Sequence, residues 1–164
     1  MQYKAGCEAA RAEKNCPLPV AILESNWSVE TVMNRLAPMI QANPDANLIF
    51  TPNEDLLLGV QSVLESIDRW YPSGHEKHFW TCASGGCEIG LEMIQEGYLD
   101  ATGLEDLPEV SVNAVDYAVR IAQGEKTGDC FIEATAVTQE NYQELLDADS
   151  FWVFKYIEDK KVKN

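Results

Sequence analysis

Four side chains that could bind a small polar molecule follow apolar runs of strand type. Trp27, Asn53, Ser84 and Glu105 each come soon after one of these runs. The carboxyl ends of parallel strands share one edge of a sheet, and open α/β sheets bind ligands at that edge. An aromatic ring packs on the apolar face of a polyhydroxylated ligand while polar groups bind its hydroxyls. A solvated sheet edge explains the pattern equally well, because Asn53 is also a good helix N-cap.

Two histidines and two cysteines could in principle hold a metal ion. His75, His78, Cys82 and Cys87 have the spacing H-x2-H-x3-C-x4-C, which fits no common zinc module. His78 and Cys82 would share one face of a strand, whereas His75 would lie in a loop. We therefore predict packing roles for these residues, with no metal site and no cofactor.

The five cysteines leave an enzymatic alternative open. Cys82 and Cys87 flank a predicted turn, where they could form a disulfide or supply a nucleophile. Cys7 and Cys16 bracket a predicted helix and lie too far apart to pair unless that helix ends early. No G-x-S-x-G, Walker or G-x-G-x-x-G motif is present. Residues 84–86, Ser-Gly-Gly, could cradle an anion at a helix start, although turn chemistry explains them as well.

Composition limits the class of protein. The chain has 164 residues, 46% of them hydrophobic, which is enough for one folded domain with a core. Its formal net charge of −15 argues against nucleic-acid binding, because phosphate contacts need clustered basic residues. The one basic cluster, at residues 155–163, is typical of a solvated terminus. No stretch approaches the ~20 apolar residues of a membrane span, and no signal peptide is visible.

Helical and strand-like segments alternate along the chain. Helix-forming composition or helical apolar spacing predicts six helices, at residues 4–14, 29–40, 54–67, 87–95, 108–123 and 140–146. Short apolar or aromatic runs predict six strands, at residues 20–23, 47–51, 78–82, 99–104, 130–137 and 151–157. This alternation predicts an α/β fold with a mainly parallel sheet. The helix at 108–123 carries apolar residues on two faces, which indicates burial on both sides or against a partner.

Several of these segments resemble one family in order and spacing. The best match is at residues 43–67, NPDANLIFTPNEDLLLGVQSVLESI, and a second lies just upstream, LESNWSVETVMNRLAPMIQANP at 23–44. Residues 94–110, IQEGYLDATGLEDLPEV, are similar to the family's Gly-x-Leu-x-Ala-Thr strand and hinge. Further matches are RIAQGEK and EATAVTQENYQEL. The family is that of the type I periplasmic solute-binding proteins of the ribose and sugar class.

The resemblance implies a flavodoxin-like, three-layer αβα lobe, corresponding to the C-terminal lobe of such a protein. The lobe would comprise residues 1–146, with a last strand and basic tail at 147–164. The first lobe, and the strand before helix 4–14, would be missing from this chain. In the family the helix matching 108–123 packs on the first lobe, so we expect an exposed apolar patch here or a homodimer that covers it.

The same resemblance assigns roles to the four candidate residues. Trp27 falls where the family stacks an aromatic on a sugar, Asn53 on its ligand-binding asparagine, and Glu105 near a hinge-side polar residue. Ser84 lies in a turn where the family has an aspartate. The implied function is non-catalytic binding of a sugar or related polar solute for an ABC-transporter permease. The implied location is periplasmic or extracellular, of lipoprotein type. A LacI-type effector domain, which shares the fold, is the alternative.

Overall fold

Six helices and four strands, mostly in alternation, make up the fold of the described residues. The computed structural model describes residues 2–15 and 19–148, without the side chains of residues 2–5 and 7. The elements are α1 (Gln2–Lys14), α2 (Val29–Ala42), β1 (Leu48–Phe50), α3 (Leu57–Ser66), β2 (Trp80–Gly85), α4 (Glu88–Glu96), β3 (Ala101–Leu104), α5 (Leu107–Ala122), β4 (Thr135–Thr138) and α6 (Tyr142–Asp147).

The four strands form one sheet in the order β1-β2-β3-β4. β1 pairs with β2 and β2 with β3 in parallel, whereas β4 runs antiparallel to β3. The carboxyl ends of β1, β2 and β3 therefore meet at one edge, beside the start of β4. This confirms the predicted α/β class and mainly parallel sheet.

Two apolar clusters form the core, and both contact the same face of the sheet. The α2–α3 cluster packs against Phe79 and the partly buried Ile49, and it comprises Val32, Leu36, Ile40, Leu56, Val60, Val63, Leu64 and Phe79. The α4–α6 cluster comprises Leu57, Ala83, Leu91, Ile94, Leu99, Leu104, Val137 and Tyr142. Side chains of alternate strand residues point to opposite faces, and the pairing register puts Ala83, Thr102 and Val137 on this buried face.

The opposite face of the sheet is open over the described residues. Leu48 and Trp80 pair in register there and are 57% and 49% exposed, and Phe50 beside them is 39% exposed. β1 is also an edge strand in the described sheet. Asn47 and Thr51 bond through their backbones to β2, so the backbone groups of the alternate residues Leu48 and Phe50 face away from it. Three layers were predicted. The described residues form two of them, the sheet and the helical layer on one side of it.

The predicted strand at residues 20–23 is wrong. Val20 and Ile22 are each 68% exposed, and the segment is outside the sheet. Leu23 alone of this run packs against the α2–α3 cluster. A strand-like composition stabilises a strand only when a neighbouring strand supplies hydrogen bonds and packing, and the described residues provide none beside this segment.

Two other predicted elements are shorter in the structure, and a third prediction lies outside the described residues. The predicted helix 54–67 begins only at Leu57, because Glu54 turns inward instead of lying on the first turn. The predicted strand 130–137 is reduced to β4, and residues 130–134 are irregular. The predicted strand 151–157 and the basic tail lie outside the described residues.

Helix α5 has a side-chain N-cap but no buried residue. Asp106 caps it by accepting a hydrogen bond from the backbone N–H of Glu109 at 3.0 Å. None of the α5 residues is buried, and Val112 and Val115 are 70% and 66% exposed. The exposed apolar patch expected from the sequence is therefore present. Within the described residues, no helix is both long enough and apolar enough to cross a membrane.

Candidate functional site

A cleft of about 280 Å³ lies beyond the carboxyl end of β3 and the start of β4. Ser84 and Glu105, both predicted from the sequence, line it together with Glu133. Its remaining lining side chains are aliphatic, namely Val110, Ile132 and Ala134. The cleft is therefore apolar on one part of its wall and carries a hydroxyl and two carboxyl groups on the rest. This mixture is typical of sites for small polar ligands.

The turn after β2 does form an anion cradle, and the chain fills it itself. The backbone N–H of Gly86 donates to Oε1 of Glu54 at 2.6 Å. The hydroxyl of Thr102, on β3, donates a short hydrogen bond to the same oxygen. Glu54 is only 2% exposed. Its carboxylate thus ties together the loops after β1 and β2 and the strand β3.

Two glycines make room for this buried carboxylate. A Cβ atom on Gly85 would lie 2.6 Å from Oε2 of Glu54, and one on Gly90 would overlap its Cγ. Gly85 also has φ of 128°, which side-chain-bearing residues rarely adopt. The positions of Gly85 and Gly90 therefore require glycine for close packing against Glu54.

Asn53 lies next to Glu54 and has a local role in the structure. Its Oδ1 accepts a hydrogen bond from the backbone N–H of Leu56 at 3.4 Å, and its amide donates to Asp55 at 3.3 Å. The predicted N-cap role of Asn53 is wrong, because the N-cap of α3 is Leu56 and that helix has no side-chain capping bond. Asn53 does not line the cleft. The bond from Gly86 to Glu54 holds the loop of Asn53 beside the carboxyl end of β2, the strand that carries Ser84.

Trp27 projects from a tight turn before α2. Asn26 and Trp27 have φ of 49° and 61°, a left-handed conformation that is uncommon for residues with side chains. Ser28 closes the turn, because its backbone N–H bonds to Ser25 at 3.0 Å and its hydroxyl caps α2. The indole is 65% exposed and does not line the cleft. Strained backbone of this kind is found at ligand sites, and it presents an aromatic face to solvent.

The histidines and cysteines do not converge on a metal. His75 stacks on Tyr71 with ring centroids 4.0 Å apart. The nearly buried ring of His78 bonds to the Tyr71 carbonyl oxygen at 2.7 Å and to Asp100 at 3.0 Å. Over the described part of the chain, no group of three or more suitable side chains could hold a metal ion.

The Cys87 thiol lacks the features of an activated nucleophile. Cys82 and Cys87 are not joined by a disulfide. Burial raises the pKa of the Cys87 thiol, with a smaller contribution from the negative charge of Glu54. Because the thiolate is the reactive form, a raised pKa disfavours nucleophilic catalysis by Cys87.

Sequence patterns missed two residues of this region. Glu54 reads as an ordinary acidic residue of a first helical turn, and its burial depends on strands that lie far away in sequence. Glu133 falls inside the segment predicted as a strand, whose cleft-lining part is irregular. The nearby glycines at 85, 86 and 90 were the available signal of close packing at the turn.

Comparisons with known proteins concern the fold. No protein-family model matches the chain, and no curated protein is significantly similar to it. A periplasmic solute-binding protein of an ABC transporter from Actinobacillus succinogenes, solved with D-allose, aligns with a TM-score of 0.68 and 23% identity over 87% of this chain. A solute-binding protein from Agrobacterium vitis, solved with D-fucose, gives 0.66 and 20% over 90%. A glucose-galactose binding protein from Geobacillus stearothermophilus gives 0.65 and 21% over 82%.

The chain has the fold of one lobe of a type I periplasmic solute-binding protein. It spans about half the length of these three solved proteins, covering 49%, 50% and 46% of them in the same order. The lobe architecture expected from the sequence is thereby confirmed. The cleft lies at the strand edge of this lobe, beside the segments that lead into and out of α5.

Proposed function

We propose that this lobe supplies half of the binding site for a sugar or a similar polar solute in an ABC-transporter solute-binding protein. The observation that carries the proposal is the cleft, in which Ser84 and Glu105 meet at the carboxyl edge of a lobe of this fold. Their hydroxyl and carboxylate would bind ligand hydroxyls, and the aliphatic wall would pack on ligand carbons. The role is non-catalytic.

Trp27 and Asn53 belong to the proposed site as residues of its outer rim. Asn53 follows β1 at the carboxyl edge of the sheet, and the exposed indole of Trp27 could stack on a sugar ring when a second lobe closes on the ligand. A second lobe would supply the opposite wall, which this lobe lacks. The proposed partners are therefore that lobe, which would cover the α5 patch, and the permease. A homodimer through the same patch is an alternative cover.

The proposed location is periplasmic or extracellular, as for the solved neighbour described as periplasmic. The alternative of a LacI-type effector domain shares the fold. The comparisons give that alternative no support over a transport role.

Titration of the ¹⁵N-labelled chain with D-allose, D-fucose and D-galactose, followed by amide NMR shifts, tests the proposal. Half a site should bind weakly, so we expect half-saturation at about 1 mM or above, and calorimetry should detect little heat. The shifts should concentrate at residues 26–28, 53–54, 84–86, 105 and 132–134. Ser84→Ala should weaken binding by about 3- to 10-fold, whereas the matched exposed change Ser73→Ala should leave it unchanged.

Two results would contradict the proposal. Submicromolar binding by this chain would mean that its own residues form a complete site. Saturable shifts confined to another surface, such as the loop at residues 68–78, would mean that the cleft is not the binding site.

A further inference from the structure

His78 and Asp100 form a nearly buried pair at the amino ends of β2 and β3, away from the cleft. The side chain of His78 is 6% exposed and that of Asp100 is 11% exposed. Nδ1 of His78 lies 2.7 Å from the carbonyl oxygen of Tyr71. Nε2 lies 3.0 and 3.1 Å from the two carboxyl oxygens of Asp100. The imidazole ring therefore joins the loop at residues 68–78 to the residue that directly precedes β3.

The two contacts of this ring require two hydrogen-bond donors. A backbone carbonyl oxygen and an ionised carboxylate both accept hydrogen bonds and donate none. Neutral imidazole carries one N–H group and one lone pair, so one of its nitrogens would direct a lone pair at an acceptor oxygen. Doubly protonated imidazole donates from both nitrogens. The geometry around His78 therefore matches the imidazolium form.

The surroundings of Asp100 favour its ionised form. Its Oδ2 accepts a hydrogen bond from the backbone N–H of Thr81 at 2.7 Å, and such a bond stabilises a carboxylate. A carboxylate with so little exposure also needs a compensating charge. Among the described residues, His78 is the one side chain with a cationic form that contacts Asp100. The second proton on the imidazole supplies that charge, and it strengthens the hydrogen bond between the two side chains.

The other ionisable side chains of the loop interact with one another. They are Asp68, Tyr71, His75 and Lys77. Asp68 accepts hydrogen bonds from the Tyr71 hydroxyl and the Lys77 ammonium. His75 stacks on the Tyr71 ring. From β2, the uncharged indole of Trp80 packs edge-on against the His78 ring, with centroids 5.2 Å apart. Of the described charged groups, Asp100 is therefore the one in direct contact with the imidazole of His78.

We infer that His78 and Asp100 form a proton-dependent clasp, which holds the loop at residues 68–78 against the start of β3 while the imidazole is doubly protonated. Loss of one proton turns a hydrogen bond into a contact between lone pairs. It also leaves the nearly buried carboxylate of Asp100 without a compensating charge. The loop should therefore loosen as pH rises. Because the clasp lies away from the cleft, the inference stands or falls independently of the proposed function.

The direction of the pH dependence follows from the protons bound in the folded and unfolded states. A histidine in an unfolded chain loses its proton near pH 6.5. Above that pH the closed clasp keeps one proton that the unfolded chain has released, so stability falls as pH rises. The stabilisation by the clasp is complete below about pH 6.5 and is lost when the folded chain releases the same proton. A difference of one proton changes the folding equilibrium constant by at most about tenfold per pH unit.

Ring ¹⁵N NMR of the ¹⁵N-labelled chain measures the protonation of His78 directly. The chain has two histidines, and the spectrum of His75→Gln assigns their signals. At pH 7.5 we expect both ring nitrogens of His78 to be protonated, whereas Nδ1 of His75, which accepts the Lys77 N–H, should be unprotonated. Amide shifts of residues 71–78 and 100 should titrate together with the His78 ring. A neutral His78 ring at pH 7.5 would overturn the inference.

Urea unfolding between pH 6.5 and 8.5 measures the effect on stability. We expect the folding equilibrium constant of the unaltered chain to fall by about 3- to 10-fold per pH unit. Asp100→Asn removes the compensating carboxylate with little change in size, so His78 should become neutral and the pH dependence should flatten. His75→Gln, a change of the exposed histidine in the same loop, should leave the pH dependence intact. An equal pH dependence in the unaltered chain and in Asp100→Asn would refute the clasp, and the ring spectrum of the unaltered chain decides if that variant does not fold.

Discussion

Replacing Glu54 by alanine should destabilise the lobe strongly, although the side chain is charged and makes no salt bridge in the described contacts. The change would leave the Gly86 N–H and the Thr102 hydroxyl without their acceptor. Each buried donor that loses its partner costs about 1–3 kcal/mol. The space left by the side chain adds to the loss, whereas relief from burying a carboxylate offsets part of it. We expect a net loss of about 2–4 kcal/mol of unfolding free energy.

Milder variants separate the contributions. Glu54→Gln keeps the volume and one acceptor oxygen, so we expect a loss of about 1–2 kcal/mol. Thr102→Val removes one donor with little change in shape and should cost about the same. In the double variant Glu54→Ala/Thr102→Val no orphaned hydroxyl remains. Its loss should therefore be smaller than the sum of the single losses by about 1 kcal/mol.

Urea unfolding followed by circular dichroism and tryptophan fluorescence measures these differences. Glu140→Ala, an exposed glutamate, serves as the control and should change the free energy by less than about 0.5 kcal/mol. A loss below about 1 kcal/mol for Glu54→Ala would refute the tethering role. Strict additivity in the double variant would show that Glu54 and Thr102 are not coupled.

Three further outcomes follow from other parts of the lobe. Val115→Ser on the exposed face of α5 should cost less than about 0.5 kcal/mol of unfolding free energy. Leu91→Ala in the core should cost about 2–5 kcal/mol. Similar costs for the two variants would place Val115 in the core. The hydrogen bond from Lys77 holds the pKa of Asp68 below its ordinary value, so any stabilisation from this pair is present at neutral pH and lost as pH falls through the lowered pKa. Carboxyl NMR titration should show the Asp68 pKa rising in Lys77→Ala, and an unchanged value would exclude the bond in solution. Alkylation of Cys87 at pH 8 should be slower in the folded chain than in urea, because burial raises its pKa; equal rates would contradict its burial.

Local patterns predicted the elements whose stability is decided locally. The cap at Ser28 marks where α2 begins, and its helical apolar spacing specifies which face is buried. The two-faced pattern of α5 correctly indicated a surface that the described residues do not cover. Residues 20–23 fail for the opposite reason, since a strand exists only through pairing with another segment and composition cannot supply that neighbour.

Only part of the candidate site was predictable from the sequence. Ser84 and Glu105 come together because parallel strands end at a common edge, which is a property of the topology. Glu54 was not predictable, because its burial depends on Gly86 and Thr102, 32 and 48 residues further along the chain. A donor set assembled over such separations leaves no periodic trace in the sequence.

Because β1 is an edge strand of the described sheet, the negative charge of the chain should limit its aggregation. Unpaired strand edges and flat apolar faces are the surfaces through which chains stack into aggregates. A net charge of −15 keeps two copies apart while the solution is dilute in salt. Added salt screens this repulsion and leaves Leu48 and Phe50 exposed. Aggregation should therefore become faster as ionic strength rises. The dependence of solubility on salt concentration would then report how exposed the β1 edge and the adjoining apolar face are.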